Sequence, residues 1–396
     1  MARTRAKSPP RLTRDAERLI ALANGLNASG SLTEDHFWEA EMSAVIARLL
    51  ENGNDAPIDG ALDHLYQTNL GAYDTLIELA ENESESATLK VGDAEWQALL
   101  VAAPIVAWSK YEIPSGTIDR DSADALRAQL QGHVLADGTR ITLVPYLYSI
   151  DQLPRHFSEL RKLTVKLAES AIAKEAARID FARLPETAHL LADTRFLIAA
   201  VASPRGKPLF RWQEDASGHA GRAGSLEQWI AQARPTLSRL LPGCVYECLL
   251  PDAYYVNCRE SDRRVRPFGI RAAVAFLENA LKVKATELQA VVAGFGEERV
   301  DEYRVAFTAH GDDSEVAHGV VWPLYGREDE TARPGPVDDL LVQLGECGVT
   351  QVKRLPGTFT PEYCEDCGAP LFANAEGEIV HAELPEEADT QAAHFH

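Results

Sequence analysis

From Ala87 onward the chain alternates short apolar runs with longer amphipathic stretches, and this order restricts its fold more than any other feature. Thr88–Val91 and Trp96–Val106 flank Gly92-Asp93, the pattern of two strands joined by a tight turn. A helix is expected at 121–133, a strand from Arg140 to Pro145, and a long helix at 155–173. The order then recurs. Phe196–Ala202 and Leu209–Trp212 read as strands, Ser225–Leu240 as a helix, Val245–Leu250 as a strand and 267–282 as a helix. Strands interleaved with helices require a mixed sheet covered by helices.

The recurrence extends to letters. Leu99-Leu-Val-Ala-Ala-Pro104 resembles Ala199-Ala-Val-Ala-Ser-Pro204. Gly138–Pro145 followed by Tyr148 resembles Gly243–Pro251 followed by Tyr254. An internal duplication accounts for both order and letters. A partial third unit follows, with strands at 287–295, 302–309 and 316–324, a helix at 337–346 and a strand at 350–355. Upstream, residues 11 to about 84 carry helical periodicity. Leu19, Ile20, Leu22 and Leu26 form one apolar face, and Phe37, Trp38, Val45, Ile46 and Leu49 form another, with Thr33 as the expected cap. The polar run Glu81–Ser86 reads as a boundary.

The expected organisation is therefore a basic arm (1–18), a helical region (19–85), two α/β repeats (86–190 and 191–285), a partial third unit (286–357) and an acidic tail (358–396). The fold class is α/β: a helical N-terminal segment, a duplicated mixed-sheet body and a zinc-ribbon-like C-terminal tail. At 396 residues, two to three cores are expected.

The sharpest local motif lies in that tail. In Cys364-Glu-Asp-Cys367-Gly368, two thiols two residues apart, followed by glycine, form a knuckle that turns both sulfurs toward one metal. Phe372 through His381, with the turn Asn374-Ala-Glu-Gly377, reads as a hairpin that returns His381 to the knuckle. Cys364, Cys367 and His381 are the candidate ligands of a structural zinc, with His394 (or His396) as the fourth. A second Cys-x-x-Cys is absent, so a reactive dithiol and two unengaged thiols stay open as alternatives. Cys244 and Cys248, four apart in an apolar strand, read as core thiols.

Ligands of open α/β sheets sit beyond the carboxyl ends of strands. That rule selects Tyr148, Asp151 and Arg155 in one loop, and Tyr254, Arg263 and Arg264 in another. Each loop leads into a helix expected to open at a proline, Pro154 or Pro267. The arginines ahead of Pro267 suggest an anionic small molecule at a helix N-terminus, while Glu260 and Asp262 offer ordinary surface ion pairing instead. Gly294-Phe-Gly296 lacks the third glycine and the following helix of a dinucleotide loop, and reads as a turn between strands. No nucleophile elbow or zincin helix occurs, and the histidines form no recognisable triad.

The net charge of −21 disfavours nucleic acid on the body. Only the arm, with Arg3, Arg5, Lys7, Arg11, Arg14 and Arg18, has the opposite character. No apolar run is long enough to span a bilayer, and Pro9-Pro10-Arg11 falls where a signal peptide needs apolar residues. A cytoplasmic location is expected.

Phrases such as Tyr146-Leu-Tyr-Ser-Ile-Asp-Gln-Leu-Pro-Arg155, Phe210-Arg-Trp-Gln-Glu214, Trp322-Pro-Leu-Tyr-Gly-Arg-Glu-Asp-Glu330 and Pro361-Glu-Tyr-Cys-Glu-Asp-Cys-Gly-Ala-Pro-Leu371 resemble a family of beta-proteobacterial hypothetical proteins, catalogued as domain of unknown function 2863. The resemblance runs through nearly the whole chain. It implies a bacterial cytosolic protein and brings no activity, ligand or catalytic residue. Three functions follow as expectations: a binding or regulatory protein with a structural zinc, an enzyme acting on an anionic small molecule between the repeats, or an RNA- or ribosome-associated factor using the arm.

Overall fold

The computed structural model describes residues 12–109, 112–187, 190–214, 218–297, 299–309, 315–325, 328 and 334–385. Four helices come first: α1 (Arg14–Asn27), α2 (Leu32–Glu51), α3 (Ala56–Thr68) and α4 (Leu70–Glu85). Then follow β1 (Ser86–Val91), β2 (Ala94–Trp108), β3 (Gly116–Thr117), α5 (Arg120–His133), β4 (Arg140–Tyr148), α6 (Phe157–Ala173) and β5 (Ala192–Pro204). The chain continues through α7 (Arg211–Glu214), α8 (Gly218–Leu240), β6 (Val245–Cys248), β7 (Asp252–Ala253) and α9 (Tyr254–Ala280). It ends with β8 (Leu288–Phe295), β9 (Glu302–Ala309), β10 (His318–Pro323), α10 (Pro336–Glu346), β11 (Gln351–Phe359), β12 (Phe372–Ala373) and β13 (Ile379–Val380).

β2 and β5 are central in the first sheet, whose path is β1-β2-β5-β4-β3 with β6 and β7 also on β2. They pair antiparallel along their whole length, with Leu100 opposite Ala200. Side chains alternate across a strand, so each strand feeds two cores. Val101, Ala103, Ile105, Leu197, Ala199 and Val201 pack with Leu126 and Leu130 of α5 and Trp229 and Leu237 of α8. Leu100, Ala102, Phe196, Ile198 and Ala200 pack with Leu160 and Leu167 of α6 and Tyr254 of α9. Burial on both faces explains why these strands read as unbroken apolar runs. Arg195 is buried here too, paired with Asp193 and donating to the carbonyls of Ile113 (2.7 Å) and Pro114 (2.9 Å).

The N-terminal helices have their own core of Leu19, Met42, Ile46, Leu49, Ile58 and Leu76. Ser31 caps α2, two residues before the expected Thr33, through its hydroxyl and the Glu34 amide (3.2 Å). The bundle is fastened to the body by Asp55, whose carboxylate accepts from the Ser158 amide (2.9 Å) and hydroxyl (2.5 Å) at the start of α6.

The second sheet, β10-β9-β8-β11, is separate from the first. One face packs on the second half of α9 (Ile270, Ala273, Leu277) and on Val337, Leu340 and Leu344 of α10. α9 therefore contributes to the cores of both sheets.

Three further local expectations fail for tertiary reasons. Leu209–Trp212 makes only a bridge, Leu135 to Phe210, before entering α7. The helix expected to start at Ser225 begins at Gly218 as α8. Pro267 does not open a helix but lies inside α9, which starts at Tyr254. The polar run Glu81–Ser86 closes α4 and opens β1, and the carboxylates of Glu81 and Glu85 are buried against α9.

Candidate metal centre

Residues 361–382 build the site by local turns on a tertiary anchor. Cys364 donates its amide to the Ala369 carbonyl (2.8 Å) and accepts from the Gly368 amide at its own carbonyl (2.9 Å), closing the knuckle. Gly368 has φ +74°, a conformation that a side chain would strain. The hairpin β12–β13 pairs Phe372 with Val380. Its turn is organised by the buried Asn374, whose side-chain oxygen accepts from the amides of Glu376 (3.0 Å) and Glu378 (2.9 Å).

Folding back places Cys367 Sγ 3.3 Å from His381 Nε2. The ligand atoms of Cys364, Cys367 and His381 all lie within 4.8 Å of one another. Tetrahedral zinc, with bonds of about 2.3 Å to sulfur and 2.0 Å to nitrogen, needs ligand atoms roughly 3.3–3.8 Å apart, so the three are near-set for a metal. The amides of Cys367 and Asp366 point at the Cys364 sulfur and hold its thiol below the usual range, favouring the thiolate that binds metal. Glu383 Oε1 lies 3.3 Å from His381 Nδ1, but that buried nitrogen makes no hydrogen bond among the described residues. The expected fourth ligand, His394, lies outside the described residues.

The tail also covers the free face of the second sheet. Phe372 is buried among Val291, Ala293, Phe295 and Ala306. Gly319 of β10 makes this possible, since a Cβ there would stand 2.2–2.4 Å from the Phe372 ring. The fully buried Arg304 of β9 donates to the carbonyls of Glu362 (2.8 Å) and Leu371 (2.5 Å) and pairs with Glu302 (2.6 Å). Its guanidinium lies over Phe295 at 4.4 Å and Tyr363 at 5.1 Å. Arg304 thus holds both ends of the knuckle to the sheet. Neither residue carried a sequence signal, because the tail groups they meet, Phe372, Glu362 and Leu371, lie more than fifty positions away. A cavity of about 400 Å³ adjoins the site, lined by Leu191, Val265, Val320, Pro370, Phe372 and His381.

The other candidate residues are dispersed. Tyr148 and Tyr254 meet in one buried core, where burial pushes both phenols above their ordinary range. Asp151 and Arg155 pair at 3.5 Å on the surface. Arg263 and Arg264 lie in mid-helix, Arg263 3.9 Å from Glu260, and Arg264 3.0 Å from Glu260 and 3.7 Å from Glu247. The free amides of a helix start, on which an anion site there depended, are absent from that stretch.

Cys248 is a buried core thiol, pushed up to about 12 by desolvation, and Cys244 is half-buried just ahead of β6. A polar cluster without a sequence signal joins α4 to α9. Glu81 pairs with Arg259 (2.5 Å), and Glu85 accepts from the Tyr255 amide (2.8 Å). Burial raises the Glu85 carboxyl to about 7.

Among the described residues no helix is long and apolar enough to cross a membrane. No curated protein and no solved structure matches the chain. A family model does match, over residues 4–395, and the chain belongs to that family, described as a protein of unknown function (DUF2863).

Proposed function

We propose that this DUF2863 protein is a binding or regulatory protein whose tail is closed by a structural zinc ion. The observation that carries the reading is the convergence of Cys364, Cys367 and His381 within 4.8 Å, on a knuckle already shaped by its own backbone hydrogen bonds. Two thiolates and an imidazole form a donor set suited to zinc. His394 is the proposed fourth ligand. The ion would fasten the hairpin that covers the second sheet, a structural role. The six free cysteines fit a reducing, cytosolic compartment.

The body is proposed to have arisen by duplication. Leu99–Pro104 and Ala199–Pro204 are offset by one hundred positions, and Leu100 lies opposite Ala200. A duplication of this kind would place a two-fold axis through that pair, perpendicular to the sheet, exchanging α5 with α8 on one face and α6 with α9 on the other.

Native mass spectrometry of chelator-free, untagged protein tests the metal. One zinc per chain, lost in Cys364→Ser with Cys367→Ser, is the expected result. A metal-free parent under the same conditions overturns the zinc assignment.

A further inference from the structure

The first sheet has an open edge. β4 is flanked by β5 along one side, but on its outer side β3 reaches only Tyr146 and Leu147. The Ile118 amide meets the Pro145 carbonyl (2.9 Å), and there the cover ends. Among the described residues no strand lies outside Arg140–Val144. At about 3.4 Å per residue, this leaves some 17 Å of strand edge whose outward N–H and C=O groups have no ladder partner among the described residues.

The edge forms the floor of a cleft of about 1150 Å³ between α5 and the end of α6. The walls depart from the chain's overall charge. Arg120 and Arg127 of α5 share one carboxylate, Asp124, at 3.7 and 3.1 Å. Lys174 lines the cleft from the end of α6, and Arg140 lies over the Trp96 ring at 4.2 Å while donating to the Ile172 carbonyl. Four cations against Asp124 and Glu175 make this a locally positive cleft on a chain of net charge −21.

We propose that this cleft binds an extended acidic peptide segment of a partner protein, which adds a strand to β4 in line with β3. Backbone pairing with Arg140–Val144 supplies the geometry, and Arg120, Arg127 and Lys174 select acidic side chains. An unpaired edge alone attracts any strand, and a cationic surface alone attracts any anion. Their coincidence in one cleft selects a ligand that has both a free backbone edge and negative charge. The inference rests on the binding-protein reading, but its test is independent of zinc content, so either can fail alone.

The test uses the full-length protein and a fluorescein-labelled peptide of alternating Glu and Val, followed by anisotropy. Three controls accompany it: the same peptide N-methylated on alternate amides, a single-stranded RNA oligonucleotide, and Arg120→Glu with Arg127→Glu, two exposed positions, checked for an unchanged circular dichroism spectrum. Saturable binding is expected, at least tenfold weaker for the N-methylated peptide and for the variant. Amide hydrogen exchange within Arg140–Leu143 should slow when the peptide is bound. Equal affinity for the N-methylated peptide, or equally tight RNA binding, would show a plain anion patch and overturn the proposal. So would no binding at millimolar peptide.

Discussion

Gly319→Ala is the most exacting test of how the tail is held. A Cβ at this position falls 2.2 Å from Cζ, 2.3 Å from Cε2 and 2.4 Å from Cε1 of Phe372. Carbon atoms in contact need about 3.5 Å, so the ring must retreat by roughly 1.3 Å. It has little room, because Phe372 is buried among β8 and β9 side chains. Overpacking of this kind costs about 1–3 kcal/mol. The strain falls on the hairpin, since Phe372 pairs with Val380, the residue before His381. If about 2 kcal/mol of it is relieved only when the hairpin lifts, zinc affinity drops roughly 30-fold. Competition against a chromophoric zinc chelator reads that change, with thermal unfolding in parallel. Adding Phe372→Val to Gly319→Ala removes the clashing ring and should restore most of the zinc affinity, although not all of the stability. Gly319→Ala protein that binds zinc and melts like the parent would refute both the packing argument and the coupling of hairpin to metal.

Glu85→Gln probes the buried joint between α4 and α9. Burial raises the Glu85 carboxyl from 4.5 to about 7, so the folded state holds this proton more tightly than the open chain does. Its favourable contribution is complete below pH 4.5 and is lost as pH rises to 7, leaving a penalty of roughly 3 kcal/mol at pH 8. Glutamine keeps an acceptor for the Tyr255 amide without the charge. The variant should therefore be more stable than the parent in urea at pH 8, with the gain vanishing near pH 4.5; a pH-independent difference contradicts the assignment. Arg304→Met removes a cation that holds two knuckle carbonyls and Glu302, and should cost about 3 kcal/mol. Limited proteolysis should then cut between 361 and 382 first, and an unchanged cleavage pattern would argue that the knuckle is held by other contacts.

Much of this protein is legible in short range. The switch from helical to strand rhythm at 86, the helices at 120–133 and 157–173, and the strands at 288–295 and 302–309 are all governed by periodicity within ten or twenty residues. The same holds for the knuckle and its hairpin, where Gly368, Asn374 and Gly377 impose turns that bring Cys364, Cys367 and His381 together. The failures share a different cause. Glu81 and Glu85 look like exposed residues of a polar boundary until Arg259 and the Tyr255 amide, more than 150 positions away, meet them. Pro267 looks like a helix start, yet α9 passes through it because its two halves are buried against two different sheets. Sheet order, the open edge of β4 and the reason for a glycine at 319 were decided by long-range pairing. Periodicity reports which face of an element is apolar; only the assembled chain determines what covers it.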